Sequence, residues 1–174
     1  MAAPASAPQA PDIAVDVLVE AEGWAGVPAA ELLCDTAARA TLDALAALGD
    51  DIPDPAELAI TLTGDEAIRE LNRRWRGKDK ATNVLSFPTP DLPEGADAPQ
   101  PLGDIIVAFE TLSAEALAEG KAPAHHLVHL VVHGTLHLMG YDHIDDTEAE
   151  EMEALERNIL ARLGIDDPYR LPED

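Results

Sequence analysis

The chain has one cysteine, Cys34, in 174 residues. A disulfide framework within the chain is excluded, and a lone thiol fits a reducing compartment. Cys34 follows Leu32 and Leu33 on a helical pattern, where a small apolar side chain belongs to a core rather than to a nucleophile. Basic residues are scarce as well: 11 Lys and Arg stand against 34 Asp and Glu, a net charge of −23. Such a field repels polyanions, so a phosphate-bearing partner has to be met by a local exception. No apolar run approaches the roughly 18 residues of a spanning helix, and the first residues have neither the basic start nor the apolar middle of a signal peptide. The expectation is a soluble, cytoplasmic protein with no membrane partner. The length suits one domain with a proper core and is short for two.

What is present falls into a recognisable order. Residues 1–12 are almost all Ala, Pro, Ser and Gln, which cannot bury enough apolar surface to order themselves, so a disordered tail is expected ahead of one domain over 13–174. Ile13, Val15, Val17 and Val19 alternate with Ala14, Asp16 and Leu18, predicting a first strand with one buried face. After Pro28, Leu32, Leu33, Thr36, Ala40, Leu42 and Leu45 recur at three-to-four spacing up to Gly49, the pattern of a long amphipathic helix. A second strand is predicted at 57–63, and Thr63-Gly64-Asp65-Glu66 then has the spacing of a capping box. The helix that follows, over 65–75, would turn Ile68, Leu71 and Trp75 inward.

A third strand at 84–87 stops at Pro88, and a loop with prolines at 88, 90, 93, 99 and 101 has the length of a functional lid or a disordered flap. A fourth strand is predicted at 102–109, interrupted by Asp104, and a short helix at 113–119. A helix begins after Pro123, and Asp145 and Glu148 hold capping positions ahead of a last helix over 147–163 that ends at Gly164. Four strands among about five helices predict a single α+β domain with one four-stranded mixed sheet. The strand order cannot be read from the pattern.

The segment His133-Gly134-Thr135-Leu136-His137-Leu138-Met139-Gly140-Tyr141-Asp142-His143 organises the rest. On a helix, His133 and His137 stack on one face about 6 Å apart along the axis, where one metal ion can bridge them. Gly140 supplies the positive φ with which helices commonly end, so the chain can return His143 to the same ion. Three imidazoles with no fourth ligand in the stretch describe a catalytic zinc site with an open position, one Zn2+ per chain. The spacing is that of the metzincin signature, a zincin-like metal helix, except that Gly134 stands where those proteases hold their catalytic Glu. Its absence argues against a peptidase. His129 is four residues before His133, but no glycine turn brings a third ligand to that level, so His125, His126 and His129 are read as packing or supporting residues. Asp142 either orients a metal-held imidazole or caps the turn after Gly140.

The basic residues cluster. Arg69, Arg73, Arg74, Arg76, Lys78 and Lys80 are six of the eleven positive charges. Arg69 and Arg73 suit a solvated helix face that balances nearby acids as well as they suit a ligand. Arg76-Gly77-Lys78-Asp79-Lys80 leaves the helix and enters a loop where Gly77 lets backbone approach a ligand. Arg73, Arg74, Arg76, Lys78 and Lys80 are therefore candidate phosphate contacts, a positive ridge on a negative body that would confine such a ligand to one track.

Three blocks together resemble the YbeY family of bacterial ribosomal RNA maturation factors, also described as metal-dependent endoribonucleases. They are Leu71-Asn72 through Arg76-Gly77-Lys78-Asp79-Lys80-Ala81-Thr82-Asn83-Val84-Leu85-Ser86-Phe87-Pro88, then Leu102-Gly103-Asp104-Ile105, then His133-Gly134 through Gly140-Tyr141-Asp142-His143. Ala81 stands where the family usually has Pro, which would loosen the loop after Lys80. The resemblance implies zinc at His133, His137 and His143 and an arginine, Arg76, important for activity. It also implies a single-strand-specific endoribonuclease acting at the 3′ end of small-subunit (16S) ribosomal RNA and in ribosome quality control. The partners implied are single-stranded RNA, ribosomal RNA and small ribosomal subunit proteins, with no DNA expected.

The chemistry read from the residues is phosphodiester hydrolysis in which the ion supplies Lewis acidity and Arg76 stabilises charge on the phosphate. No general base is nominated. Two other readings keep the histidines: a zinc hydrolase of a small substrate, which has no use for the basic ridge, and a noncatalytic ribosome-assembly factor whose zinc holds the His143 turn.

Overall fold

The protein is described here by a computed structural model covering residues 11–93, 95 and 97–169. Strands β1 (Ile13–Val19), β2 (Ala56–Thr63), β3 (Val84–Pro88) and β4 (Gln100–Ala108) form one sheet in the order β1-β2-β4-β3. β1, β2 and β4 run parallel, and β3 lies antiparallel on the outer side of β4. Helices α1 (Ala30–Ala47), α2 (Asp65–Arg76), α3 (Phe109–Glu119), α4 (Pro123–Leu138) and α5 (Asp146–Arg162) pack around it, with a 3-10 turn at Glu22–Gly26. This is the expected α+β domain with a mixed four-stranded sheet. Among the described residues no helix is long and apolar enough to cross a membrane.

The alternation along β4 decides which helix covers which face. Ile105 and Val107 enter the main core with residues of α1 and α4, whereas Ile106 and Ala108 meet Ile68 of α2 and Leu85 of β3 in a second, smaller cluster. α4 and α2 thus lie on opposite faces and both reach the edge strand β3. Cys34 is fully buried in the main core, as its pattern predicts, and burial pushes its thiol up to about 12.

Several local expectations need correction. α3 begins at Phe109, four residues ahead of the predicted start, because β4 runs into it without a loop. The capping box after Thr63 does not form, and the N-cap of α2, Gly64, has no side-chain hydrogen bond. Instead the two helix starts cap each other. Glu110 Oε2 accepts from the Asp65 N–H at 2.9 Å, and Asp65 Oδ1 accepts from the Thr111 N–H at 3.1 Å and its hydroxyl at 2.7 Å. The cap at α5 is as read: Asp145 accepts from the Glu148 N–H at 2.8 Å.

Trp75 does not face in; it is 65% exposed, with the Arg74 guanidinium 5.9 Å from its ring, and the inward place is taken by buried Asn72. Val19, at the end of β1, is exposed as well. The predicted tail, 1–12, lies outside the described residues apart from Pro11 and Asp12, and the Asp12 carbonyl accepts from the Ala56 N–H at 2.9 Å. In the proline-rich loop the described residues between 89 and 99 form no helix or strand, and the Gln100 side chain ties its two ends by accepting from the Leu92 N–H at 2.8 Å.

Candidate active site

α4 starts on Pro123 and buries Leu127, Val131, Val132 and Leu136 in the core, leaving His133 and His137 half-buried one turn apart. Their ring centroids are 4.5 Å apart and their Nε2 atoms 3.0 Å apart. Two imidazole nitrogens that close need a proton or a cation between them. Gly140, at φ +93°, turns the chain back, and the Tyr141 N–H donates to the Leu136 carbonyl at 3.0 Å. The Tyr141 hydroxyl donates to Asp50, beyond the end of α1, at 2.6 Å; burial and then that carboxylate push the phenol up to about 12. Asp142 Oδ1 accepts from the His143 N–H at 2.8 Å, so it caps the turn. The ring of His143 arrives 5.7 Å from that of His133 and 5.2 Å from that of His137.

One nitrogen from each of the three rings lies within 4.8 Å of the others, and among the described residues no further His, Cys, Asp or Glu joins this group. Burial first, then the neighbouring rings of His133 and His143, depress the pKa of His137, which favours the neutral imidazole that binds metals. This donor set fits a divalent ion that prefers nitrogen, with room for a reactant.

A residue from α5 completes the arrangement. Glu156 is fully buried, with 0% exposure, and accepts from His133 Nδ1, from His129 Nε2 at 3.3 Å and from the Tyr169 hydroxyl. Burial alone would raise this carboxyl, but the three hydrogen bonds outweigh it and hold the group at about 2. A carboxylate only accepts, so both imidazoles donate to it, and His133 is left with a bare Nε2 facing His137.

α2 contributes from the other side of β3. Arg76 Nη2 donates to the Ser86 carbonyl at 2.8 Å, and its guanidinium lies 5.5 Å from the Phe87 ring, so it occupies a backbone acceptor of the edge strand while staying exposed. Arg76, Asn83, Ser86 and the three histidines line one cleft of about 210 Å³. Asn83 is held from behind, its Nδ2 donating to Glu115 at 3.0 Å and its Oδ1 accepting from the Val84 N–H at 2.7 Å.

A family model described as Endoribonuclease YbeY matches residues 30–164. The chain belongs to the YbeY family. The YbeY endoribonuclease of Azorhizobium caulinodans is 67% identical over 160 residues, covering 92% of this chain and 98% of its own. That of Bradyrhizobium sp. is 53% identical over 165 residues, covering 93% and 95%. A Thermotoga maritima protein of known solution structure matches at 22% identity with a TM-score of 0.49, over 90% of this chain and 99% of that one.

Within this YbeY domain the predicted site residues divide into two groups. His133, His137, His143 and Arg76 meet in the cleft. Of the other cations, Arg73 is paired with Glu70, three residues away, and Arg69 forms two hydrogen bonds with Asp79 at 2.8 and 3.2 Å, both of them exposed pairs. Among the described residues Arg74, Lys78 and Lys80 have no carboxylate within ion-pair distance. The loop that carries Lys78 and Lys80 is tied to α2 ahead of Ala81. Buried Asn72 accepts from the Lys78 N–H through its carbonyl at 3.2 Å and donates from its side chain to the Lys80 carbonyl at 2.9 Å, while Ala81 packs on the smaller cluster. His126 is buried against Glu115 at 3.3 Å and His129 is bonded to Glu156, the supporting places read for them, whereas His125, read with them, is exposed.

The glycine in place of the protease glutamate has a steric cause in this YbeY fold. Gly134 is buried with its α-carbon turned to the sheet, and a Cβ there would stand 3.0 Å from Ile105 Cγ2 and 3.1 Å from Ser86 Oγ. Gly134→Glu should therefore destabilise the protein by about 3 kcal/mol or more, from overpacking plus a buried unpaired carboxylate. Urea unfolding checks it, and a stable Gly134→Glu protein with peptidase activity would contradict the packing argument.

Proposed function

We propose that this chain hydrolyses phosphodiester bonds of unpaired RNA with a zinc ion held by His133, His137 and His143. In this reading its substrate is the 3′ end of 16S rRNA, it serves ribosome quality control in the cytoplasm beside small-subunit proteins, and the catalytic domain spans 13–174. The observation that carries the reading is the meeting of Arg76 and the three imidazoles in one cleft, from elements on opposite faces of the sheet. Membership of a family of endoribonucleases supports the reaction class.

When bound, zinc supplies Lewis acidity to water or to a phosphoryl oxygen. The residues of the chain do the rest. Arg76 spends one N–H on the Ser86 carbonyl, and its remaining donors are available to a phosphate and to charge developing on it. Arg74, Lys78 and Lys80 extend the positive track away from the cleft, while the net charge of −23 keeps RNA off the remaining surface. Among the residues that line the cleft there is no carboxylate, so the proton released by water has no Asp or Glu to accept it there.

The test is one RNA sequence offered to zinc-loaded protein both single-stranded and annealed to its complement. The expected result is cleavage of the unpaired strand only, abolished by chelation and weakened as salt rises. Binding without any cleavage would favour a noncatalytic assembly factor, and cleavage indifferent to salt would remove the basic ridge from the account.

A further inference from the structure

We infer that Glu156 is a positioning residue for the metal site, and that Tyr169 holds Glu156 in that task, so the segment after α5 helps to set how tightly the three histidines keep their ion. The inference rests on reading those histidines as metal ligands. It adds two residues that no motif in the chain marks.

The two oxygens of Glu156 have separate duties. Oε1 takes the Nδ1 side of His133, while Oε2 takes both His129 and the Tyr169 hydroxyl. Because Nδ1 of His133 must carry the hydrogen, its Nε2 keeps a lone pair aimed at the point it shares with His137, 3.0 Å away. An imidazole in the other tautomer would present a hydrogen to the ion and could not bind it. Tyr169 is seated from several directions. Its ring stands 5.6 Å from that of His129, the Arg157 guanidinium lies 5.5 Å from it, Arg157 also pairs with Asp167 at 3.3 Å, and Lys121 Nζ donates to the Pro168 carbonyl at 3.4 Å. Tyr169 and His129 both donate to Oε2, which commits that oxygen and opposes rotation of the carboxylate away from His133.

This gives Glu156→Gln an outcome that follows from donor counting. A glutamine keeps the shape but has one acceptor oxygen and one NH2. His129 and Tyr169 donate on the Oε2 side, and a hydrogen moved to His129 Nδ1 would be buried without a partner, so the oxygen goes there and the NH2 faces His133. His133 must then accept at Nδ1 and carry its hydrogen on Nε2, the wrong tautomer for a ligand.

The experiment measures zinc affinity by competition with a chromophoric chelator for the wild type, Glu156→Gln and Tyr169→Phe. Long-range proton–nitrogen NMR of the metal-free proteins reports the His133 tautomer alongside. We expect Glu156→Gln to bind zinc roughly 10- to 100-fold more weakly with the Nδ1–H signal of His133 lost, and Tyr169→Phe to weaken it several-fold with the tautomer retained. A folded Glu156→Gln protein with wild-type affinity and an unchanged tautomer overturns the inference. So does a loss of thermal stability with the affinity intact, which would make Glu156 a packing residue. A wild type that takes up no zinc would instead sink the metal reading itself, and this inference with it.

Discussion

His137→Ala should strip the protein of its metal while leaving the fold in place. Each ligand of a zinc site with a total binding free energy of roughly 10–16 kcal/mol carries about 3 kcal/mol, so affinity should fall at least a hundredfold. His137 is half-buried near the end of α4, its ring 4.5 Å from that of His133 and 5.2 Å from that of His143. The substitution removes one side of a contact between two imidazole nitrogens 3.0 Å apart and no member of the main core, so the metal-free variant should melt close to the metal-free wild type. Metal content after dialysis and a thermal melt with and without zinc check both halves. A variant that retains stoichiometric zinc would show that the ion sits elsewhere.

The second large effect is expected at Arg76 and should divide binding of the ion from cleavage of RNA. Arg76→Glu reverses a charge at the cleft without touching an imidazole, so zinc content should be unchanged while kcat/KM for RNA falls by about 10²–10³. Some stability is lost with the bond to the Ser86 carbonyl, on the order of 1 kcal/mol. Arg76→Lys separates the two contributions: it keeps the charge, loses the planar fork of donors, one of which holds the Ser86 carbonyl, and should fall between wild type and Arg76→Glu. Equal cleavage by all three proteins would remove Arg76 from the chemistry.

Local pattern carries most of the architecture. The alternation at Ile13, Val15 and Val17, the glycine at 140 and the spacing of the three histidines each have a one-residue cause, so they are legible. What stays hidden depends on contacts between distant positions. The start of α3 rests on Asp65 accepting from Thr111, and the cap of α2 on Glu110, pairs no window of sequence can contain. Trp75 fits the inward spacing of α2, yet it is exposed while the polar Asn72 of the same turn is buried. Glu156 does leave a signal: it shares the apolar stripe of α5 with Met152, Ile159 and Leu160, and an acid on such a stripe needs a partner in the interior. Tyr169 leaves none, since its place is set by the Arg157 to Asp167 pair.

The two tryptophans differ in a way an experimenter can use. Trp24 is 2% exposed, its indole N–H donating to the Thr63 carbonyl at 2.9 Å and its ring edge-on to Phe109, so its fluorescence is shielded from solvent quenchers. Trp75 stands in water on the helix that ends in Arg76. Iodide or acrylamide should therefore silence one emitter and spare the other. An RNA strand arriving along the arginines would announce itself by a dimming from a single indole, with no dye attached.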